Sequence, residues 1–343
     1  MQLPDPRQYG NGAHGVAALV DVEQGEEGAL AEVLRALATA GADAEIRAAL
    51  TAAPSQPHYA RLWRALCAAV EKPALDEAVE PRVFAMPWVI VAGSSAPASV
   101  PCVLPDVAEL ARVLESHTVF GGSRSLGLSN GLCAIEALES LTPSEALHGW
   151  ENPRVRAIPP TPIAVVRGAE EVHVRFLLGA AIAPTDAPGI AETGSNIGVW
   201  GTPALKAMAS QLATPAVQIL PLPRPPDGLY SAAYSGRRAG LEAAFNLFMS
   251  NSVRRFRLSV GDPSVTLSAH AGGVVRVVLW TPFDDAMVEG FSWPLHPADD
   301  FQEIVKTVTS LITECRLQAP TVYPQLLPDR TSTGAILFRP VPA

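Results

Sequence analysis

RFRLSVGDPSVTLSAHAGGVVRVVLW, residues 255–280, is the stretch whose reading decides the fold. Phe256, Leu258 and Val260 alternate with Arg255, Arg257 and Ser259, and Val265, Leu267 and Ala269 alternate with Ser264, Thr266, Ser268 and His270. Successive side chains of a strand point to opposite faces, so a period of two predicts strands. Gly261-Asp262-Pro263 and Ala271-Gly272-Gly273 are turn signals between them. Residues 274–280 are apolar except for Arg276, which predicts a third strand buried on both faces. The stretch reads as a three-stranded antiparallel meander.

Upstream, Pro221, Pro223, Pro225 and Pro226 must end whatever precedes them, because proline has no amide donor and crowds the turn before it. Asp227 is then the expected cap of a long helix that runs to about Asn251, with Leu241, Phe245 and Phe248 on one face. Gly236 and Gly240 lie inside it, and each costs about 1 kcal/mol against alanine. Close approach of another element, or a mild kink, is the expected reason; a groove floor where a ligand touches backbone is the alternative. Downstream, Asp299 or Asp300 caps a helix whose Phe301, Ile304, Val305, Val308, Leu311, Ile312 and Cys315 form one apolar stripe for the sheet.

The rest of the chain fits around this unit. Residues 1–80 read as a small helical region with stripes at Ala29–Leu37, at Ile46 and Leu50, and at Tyr59–Val70, Asp43 capping the second helix. Residues 83–92 read as a strand that Pro87 restricts to an edge or a bulge. A short strand follows near 100–104, and Asp106 caps a helix through Leu114. Residues 143–162 are a proline-punctuated connector, 163–166 and 172–182 a hairpin, and Thr202-Pro203 a helix start. The expected fold class is α+β: a small helical N-terminal region packed on a mixed or antiparallel sheet flanked by helices. The expected divisions are 1–80, 81–150 and 151–343.

Composition bounds the function. Charged residues make up 17% of the 343, against roughly 25% in typical soluble domains. Fewer ionic side chains leave less material to solvate a surface, so a protein partner or a second copy is expected to cover part of it. A formal net charge of −9 argues against nucleic-acid binding, which needs a basic face. No run of apolar residues is long enough for membrane insertion, and residues 1–12 lack the pattern of an export signal. The four cysteines, Cys67, Cys102, Cys133 and Cys315, show no CxxC and no zinc spacing, which fits a reducing cytoplasm.

Three stretches carry candidate chemistry. Residues 117–130, dense in glycine and serine, read as a loop feeding a helix from about Gly131 to Leu141. Backbone amides at such a helix start can hold an anion, with Ser123, Arg124, Ser125 and Ser129 around it. Neither GxxxxGK[ST] nor GxGxxG is present. Cys133 in that first turn is a candidate nucleophile with His117, or else His148, as base; its spacing with Leu132, Ile135 and Leu138 equally suits a core position. In 282–297, Phe283, Phe291 and Trp293 form an aromatic interface anchor if exposed together and pin the loop if buried. Asp284, Asp285 and His296 in the same loop are the only metal candidates, and their spacing matches no motif. The sequence therefore predicts no cofactor and no metal. It favours a non-catalytic cytoplasmic scaffold, adaptor or assembly subunit. The alternative is an enzyme or small-anion binder built on 117–133.

Overall fold

The computed structural model describes residues 27–71, 79–116, 125–184, 197–222, 227–270, 273–284, 287–323, 326–330 and 336–340. The fold is α+β, and the chain divides into two units, 1–54 with 61–240 and 55–60 with 241–343. Both borders near 60 and 240 fall inside helices.

The first unit begins with three helices, α1 (Glu27–Thr39), α2 (Asp43–Thr51) and α3 (Gln56–Glu71). It continues through β1 (Val79–Ala92), β2 (Ser99–Val100), α4 (Val107–Ser116), β3 (Ser125–Cys133), α5 (Ile135–Glu139), α6 (Pro143–His148), α7 (Pro153–Arg156) and β4 (Ile163–Ala164). It ends with β5 (Glu171–Pro184), α8 (Ile197–Leu212), β6 (Val217–Pro221) and the first part of α9 (Leu229–Ser259). Its sheet has the order β3-β5-β1-β6, every pairing antiparallel. Phe84, Met86, Trp88 and Ile90 face one apolar layer, with α4 and α8. Ala85, Cys133, Phe176 and Leu178 face the other, with α1, α2, α3 and the start of α9. Helices on both faces explain why these strands are apolar on successive positions.

Several expectations are corrected here. β1 is a central strand, not an edge, with β5 on one side and β6 on the other. Pro87 is tolerated because odd-numbered amides of β1 face β6, as Ala85 N–H donates to the Asp227 carbonyl at 2.8 Å, and the β6 pairing covers only Trp88–Ala92. The missing donor falls where the partner strand has already ended. β4 pairs with β2 and not with β5, so the expected hairpin is absent. Residues 125–133 are strand rather than loop and helix start, and the helix that follows is short, Ile135–Glu139. Gly131 suits the strand because a Cβ there would overlap the Cys102 carbonyl and the Pro160 ring. Pro203 lies inside α8 rather than at its start.

The second unit holds the end of α9, β7 (Ser264–His270), β8 (Val274–Trp280), β9 (Val288–Pro294), α10 (Phe301–Glu314) and β10 (Thr321–Tyr323), followed by the paired β11 (Leu326–Arg330) and β12 (Ile336–Pro340). The main sheet has the order β10-β7-β8-β9, antiparallel except for the parallel β10–β7 pair. A meander is present, but its members are β7, β8 and β9. Residues 255–259, expected as the first strand, belong to α9. Phe245, Met249, Val253 and Phe256, spaced four, four and three apart, are all buried, so the helical period wins over the local alternation. They pack with Ile304, Val308 and Ile312 of α10 onto Leu267, Val275, Val277 and Trp293. Asp300 caps α10 through the N–H groups of Gln302 and Glu303 at 2.7 and 3.0 Å.

Gly236 and Gly240 have the structural explanation. A Cβ on Gly236 would overlap the Phe176 ring, and one on Gly240 would stand 2.9 Å from Val174 Cγ2, so α9 lies with bare backbone against β5.

Candidate functional site

Of the 117–133 candidates, His117, Ser123 and Arg124 lie outside the described residues, as does the side chain of Ser125. Ser129 has a local task. The β3–β5 register shifts between Leu128 and Leu132, and the Ser129 hydroxyl fills the break. It accepts from Leu178 N–H at 3.2 Å and donates to the Gly131 carbonyl at 2.9 Å. Cys133 is the last residue of β3, ahead of α5 rather than in its first turn, and is 2% exposed. Burial pushes its thiol up to about 12, so it stays protonated near neutral pH and is a poor nucleophile. Burial also raises Cys67, Cys102 and Cys315.

The three aromatic candidates separate. Trp293 is buried on β9, and Phe291 packs beside it against Phe245, ring centroids 5.2 Å apart. These two belong to the core of the second unit, which corrects the idea of a joint exposed anchor. Phe283 alone stands out, 83% exposed. Leu258, in the last turn of α9, is 78% exposed. Register pairs Ser264 with Trp280 and Trp280 with Val288, so β7 starts, β8 ends and β9 starts at one end of the sheet. Phe283 follows β8 there, and Leu258 precedes β7. The nearby cations are tied down: Arg255 to Glu289 at 2.8 Å and Arg257 to Asp262 at 2.6 Å. In the same loop Asp285 lies outside the described residues, while His296 Nδ1 accepts from Ala298 N–H at 3.1 Å. Among the described residues no group of three His, Cys, Asp or Glu is placed to hold a metal, and no helix is long and apolar enough to cross a membrane.

Two arrangements escape any reading of the sequence. The first is at the start of α9. The Asp227 carboxylate, expected to cap it, accepts from the adjacent Gly228 N–H at 2.9 Å. The cap comes instead from Glu71, the last residue of α3: Ser231 N–H and hydroxyl donate to its two oxygens at 2.8 and 2.5 Å. Gly228 makes room, since a Cβ there would overlap the Glu71 side chain. Cys67 lies one turn back on α3, and Trp63 stacks on Tyr230, centroids 5.5 Å apart, whose hydroxyl donates to the Leu141 carbonyl at 2.8 Å. Burial pushes the Glu71 carboxyl up to about 7, against the two Ser231 bonds, with the Asp227 charge adding to the rise. Asp227 is itself raised by burial.

The second is a polar row across the other sheet. Tyr323, Ser268, Arg276 and Ser292 occupy matching positions on β10, β7, β8 and β9. Ser268 and His270 Nε2 are 2.8 Å apart, and burial followed by the Arg276 charge lowers the His270 pKa. A neutral imidazole beside a hydroxyl resembles a general base, but Ser268 is 0% exposed. Its hydroxyl is closed off from solvent, with His270 half-buried at the end of β7.

In comparisons with known proteins, the chain matches no family model, no curated relative and no solved structure.

Proposed function

We propose that this chain is a non-catalytic scaffold, adaptor or assembly subunit that works through protein–protein contacts in a reducing, cytoplasmic setting. The observation that carries this reading is Phe283, a large aromatic left 83% exposed, at the same end of the sheet as the 78% exposed Leu258. Aromatic side chains that gain burial on association supply most of the affinity of such contacts. The sparse charge supports it too, at 17% of residues. The alternative, an enzyme or anion binder on 117–133, stands second. Its remaining residues, His117, Ser123 and Arg124, lie outside the described region, and Ser129 and Cys133 are engaged in the sheet.

Light scattering coupled to size exclusion tests the reading across a concentration series, together with affinity capture from native extract, for the wild type and the double variant Phe283→Ser, Leu258→Ser. The expected result is an oligomer or a captured partner that the double variant loses while staying folded. A clean monomer whose capture profile is unchanged by the double substitution overturns it.

A further inference from the structure

We propose that the outer edge of β9 is a dimerisation surface: β9 of a second copy pairs with it antiparallel, about a two-fold axis at Gly290, and joins the two sheets into one. This contact is separate from Phe283 and Leu258 and does not rest on them.

The ladder shows which main-chain groups of β9 are already engaged. Leu295 N–H donates to the Gly273 carbonyl at 2.7 Å, just beyond the Val274–Pro294 pair that closes the β8–β9 register. Bonded pairs alternate along an antiparallel ladder, so Glu289, Phe291 and Trp293 exchange bonds with β8. Val288, Gly290 and Ser292 turn their N–H and C=O groups the other way. Pro294 follows the same phase, so the N–H it lacks belongs to the outer side. Among the described residues no strand pairs there. Gly290, Ser292 and Pro294 are exposed, so the edge is open to solvent.

The other outer strands of the two four-stranded sheets are closed or short. Val217 of β6 exchanges bonds with Thr214 at 3.0 and 3.1 Å, and Pro221 has no N–H to offer. β3 is covered where Leu132 N–H donates to the Cys102 carbonyl and Leu104 N–H to the Asn130 carbonyl, each at 2.8 Å. β10 spans only Thr321–Tyr323. β9 has seven residues and an outward row of donors and acceptors, which is a template for a further strand.

The row matches itself. Val288 and Ser292 flank Gly290 symmetrically, and all three face outward. With the axis at Gly290, that residue meets its own copy and Val288 meets Ser292 of the second copy, so every outward N–H finds a carbonyl. Pro294 then falls opposite position 286, ahead of β9, where no donor is called for. Moving the axis to Phe291 would set Pro294 against Val288 and leave a carbonyl without a donor. On the other face Glu289 meets Phe291 of the second copy rather than a like charge, and it stays bonded to Ser252 and Arg255. Glycine at the axis puts no side chain in the way, and the half-buried Val288 and Phe291 gain cover. Self-pairing also closes both open edges at once, whereas a single added strand would create a new one.

Light scattering over a concentration series reads the dimer in wild type, Ser292→Ala and Ser292→Pro. Position 292 accepts proline because its N–H points away from β8. The expected result is a wild-type dimer that Ser292→Ala keeps and that folded Ser292→Pro weakens by at least about tenfold. A wild-type monomer throughout the series overturns the pairing, whether or not the chain captures another protein. So does a dimer that Ser292→Pro leaves intact or that Ser292→Ala loses. Should Ser292→Pro fail to fold, wild-type amide exchange decides. Gly290 and Ser292 N–H should slow as the dimer forms while Phe291 N–H is slow throughout; unslowed exchange at 290 and 292 overturns the pairing. The double variant Phe283→Ser, Leu258→Ser separates the two readings: a dimer that survives it and falls to Ser292→Pro supports this edge alone.

Discussion

Asp43 and Glu71 each grip a serine in the first turn of a distant helix through both its N–H and its hydroxyl: Ser144 at 2.8 and 2.6 Å, Ser231 at 2.8 and 2.5 Å. The two proton affinities nevertheless move in opposite directions. At Asp43 burial pulls upward, but the Ser144 bonds, Thr142 and the Arg47 charge prevail and hold the carboxyl below its usual value. At Glu71 the same pair of bonds is outweighed by burial and by the Asp227 charge. The two sites share their hydrogen-bond geometry and differ in surroundings, with the Arg47 charge at one and the Asp227 charge at the other, so hydrogen-bond geometry alone does not fix a carboxyl's charge.

The largest test of this contrast is pH. For Glu71, a rise from 4.5 to about 7 means that its contribution is fully favourable below 4.5 and is lost as pH climbs to about 7, a loss of about 3 kcal/mol at most. Asp43 has the opposite sign: its depressed value stabilises the fold above 3.8, and the gain is lost as pH falls through the folded-state value. Chemical denaturation between pH 2 and 8 should show wild type losing stability relative to Glu71→Gln as pH rises from 4.5 to about 7, and gaining relative to Asp43→Asn as pH rises through the acid end, below about 4. Parallel curves for both variants would erase the distinction.

Next in size is Gly228→Ala, whose added methyl collides with the Glu71 side chain. A loss of about 2 kcal/mol is expected from overpacking, along with a weaker pH dependence, because the displaced carboxyl regains water. A urea midpoint equal to wild type would show that the close fit carries little weight. Ser144→Ala is smaller again, about 1 kcal/mol, the usual worth of a cap, with no change in behaviour between pH 6 and 8. Smallest in energy is the thiol readout. Cys67 and Cys133, both raised by burial, should react with a disulfide reagent at pH 8 only as fast as the fold opens. Cys67, beside Glu71, should then react faster than Cys133; the reverse order would argue that the Glu71–Ser231 contact is the firmer of the two places.

Much of this fold is written locally. The stripes of α1, α3 and α10 follow the helical period, and Asp106 and Asp300 cap where an acidic residue before an apolar run predicts it, Asp106 accepting from Glu109 N–H at 3.0 Å. β7 and β8 form where the alternation and the apolar run predict strands, but Thr266 and Ser268 of β7 are buried beside Val265 and Leu267, so its polar positions do not face solvent. The misreadings share one cause, a short pattern compatible with two periods. Phe256, Leu258 and Val260 alternate like a strand, yet Phe256 also extends the spacing of Phe245, Met249 and Val253, and the exposed Leu258 is the residue the strand reading would have buried. β9 was hidden by Gly290 and Pro294, and β3 by glycines that look like loop until Pro160 and Cys102 are seen against Gly131. The candidate site was less legible. Glu71 and Ser231 are 160 residues apart, and no spacing rule joins a helix's last residue to another helix's first turn across that distance.

Gly236 and Gly240 set the rotational phase of the longest helix like a key in a slot. With Phe176 and Val174 seated where side chains are missing, α9 fits β5 at one angle only. Turning it by a single residue, about 100°, would drive a full side chain such as Arg237 into the strand. The outer face of that helix can drift in sequence, while this inner strip admits no substitution that adds a carbon without the sheet giving way.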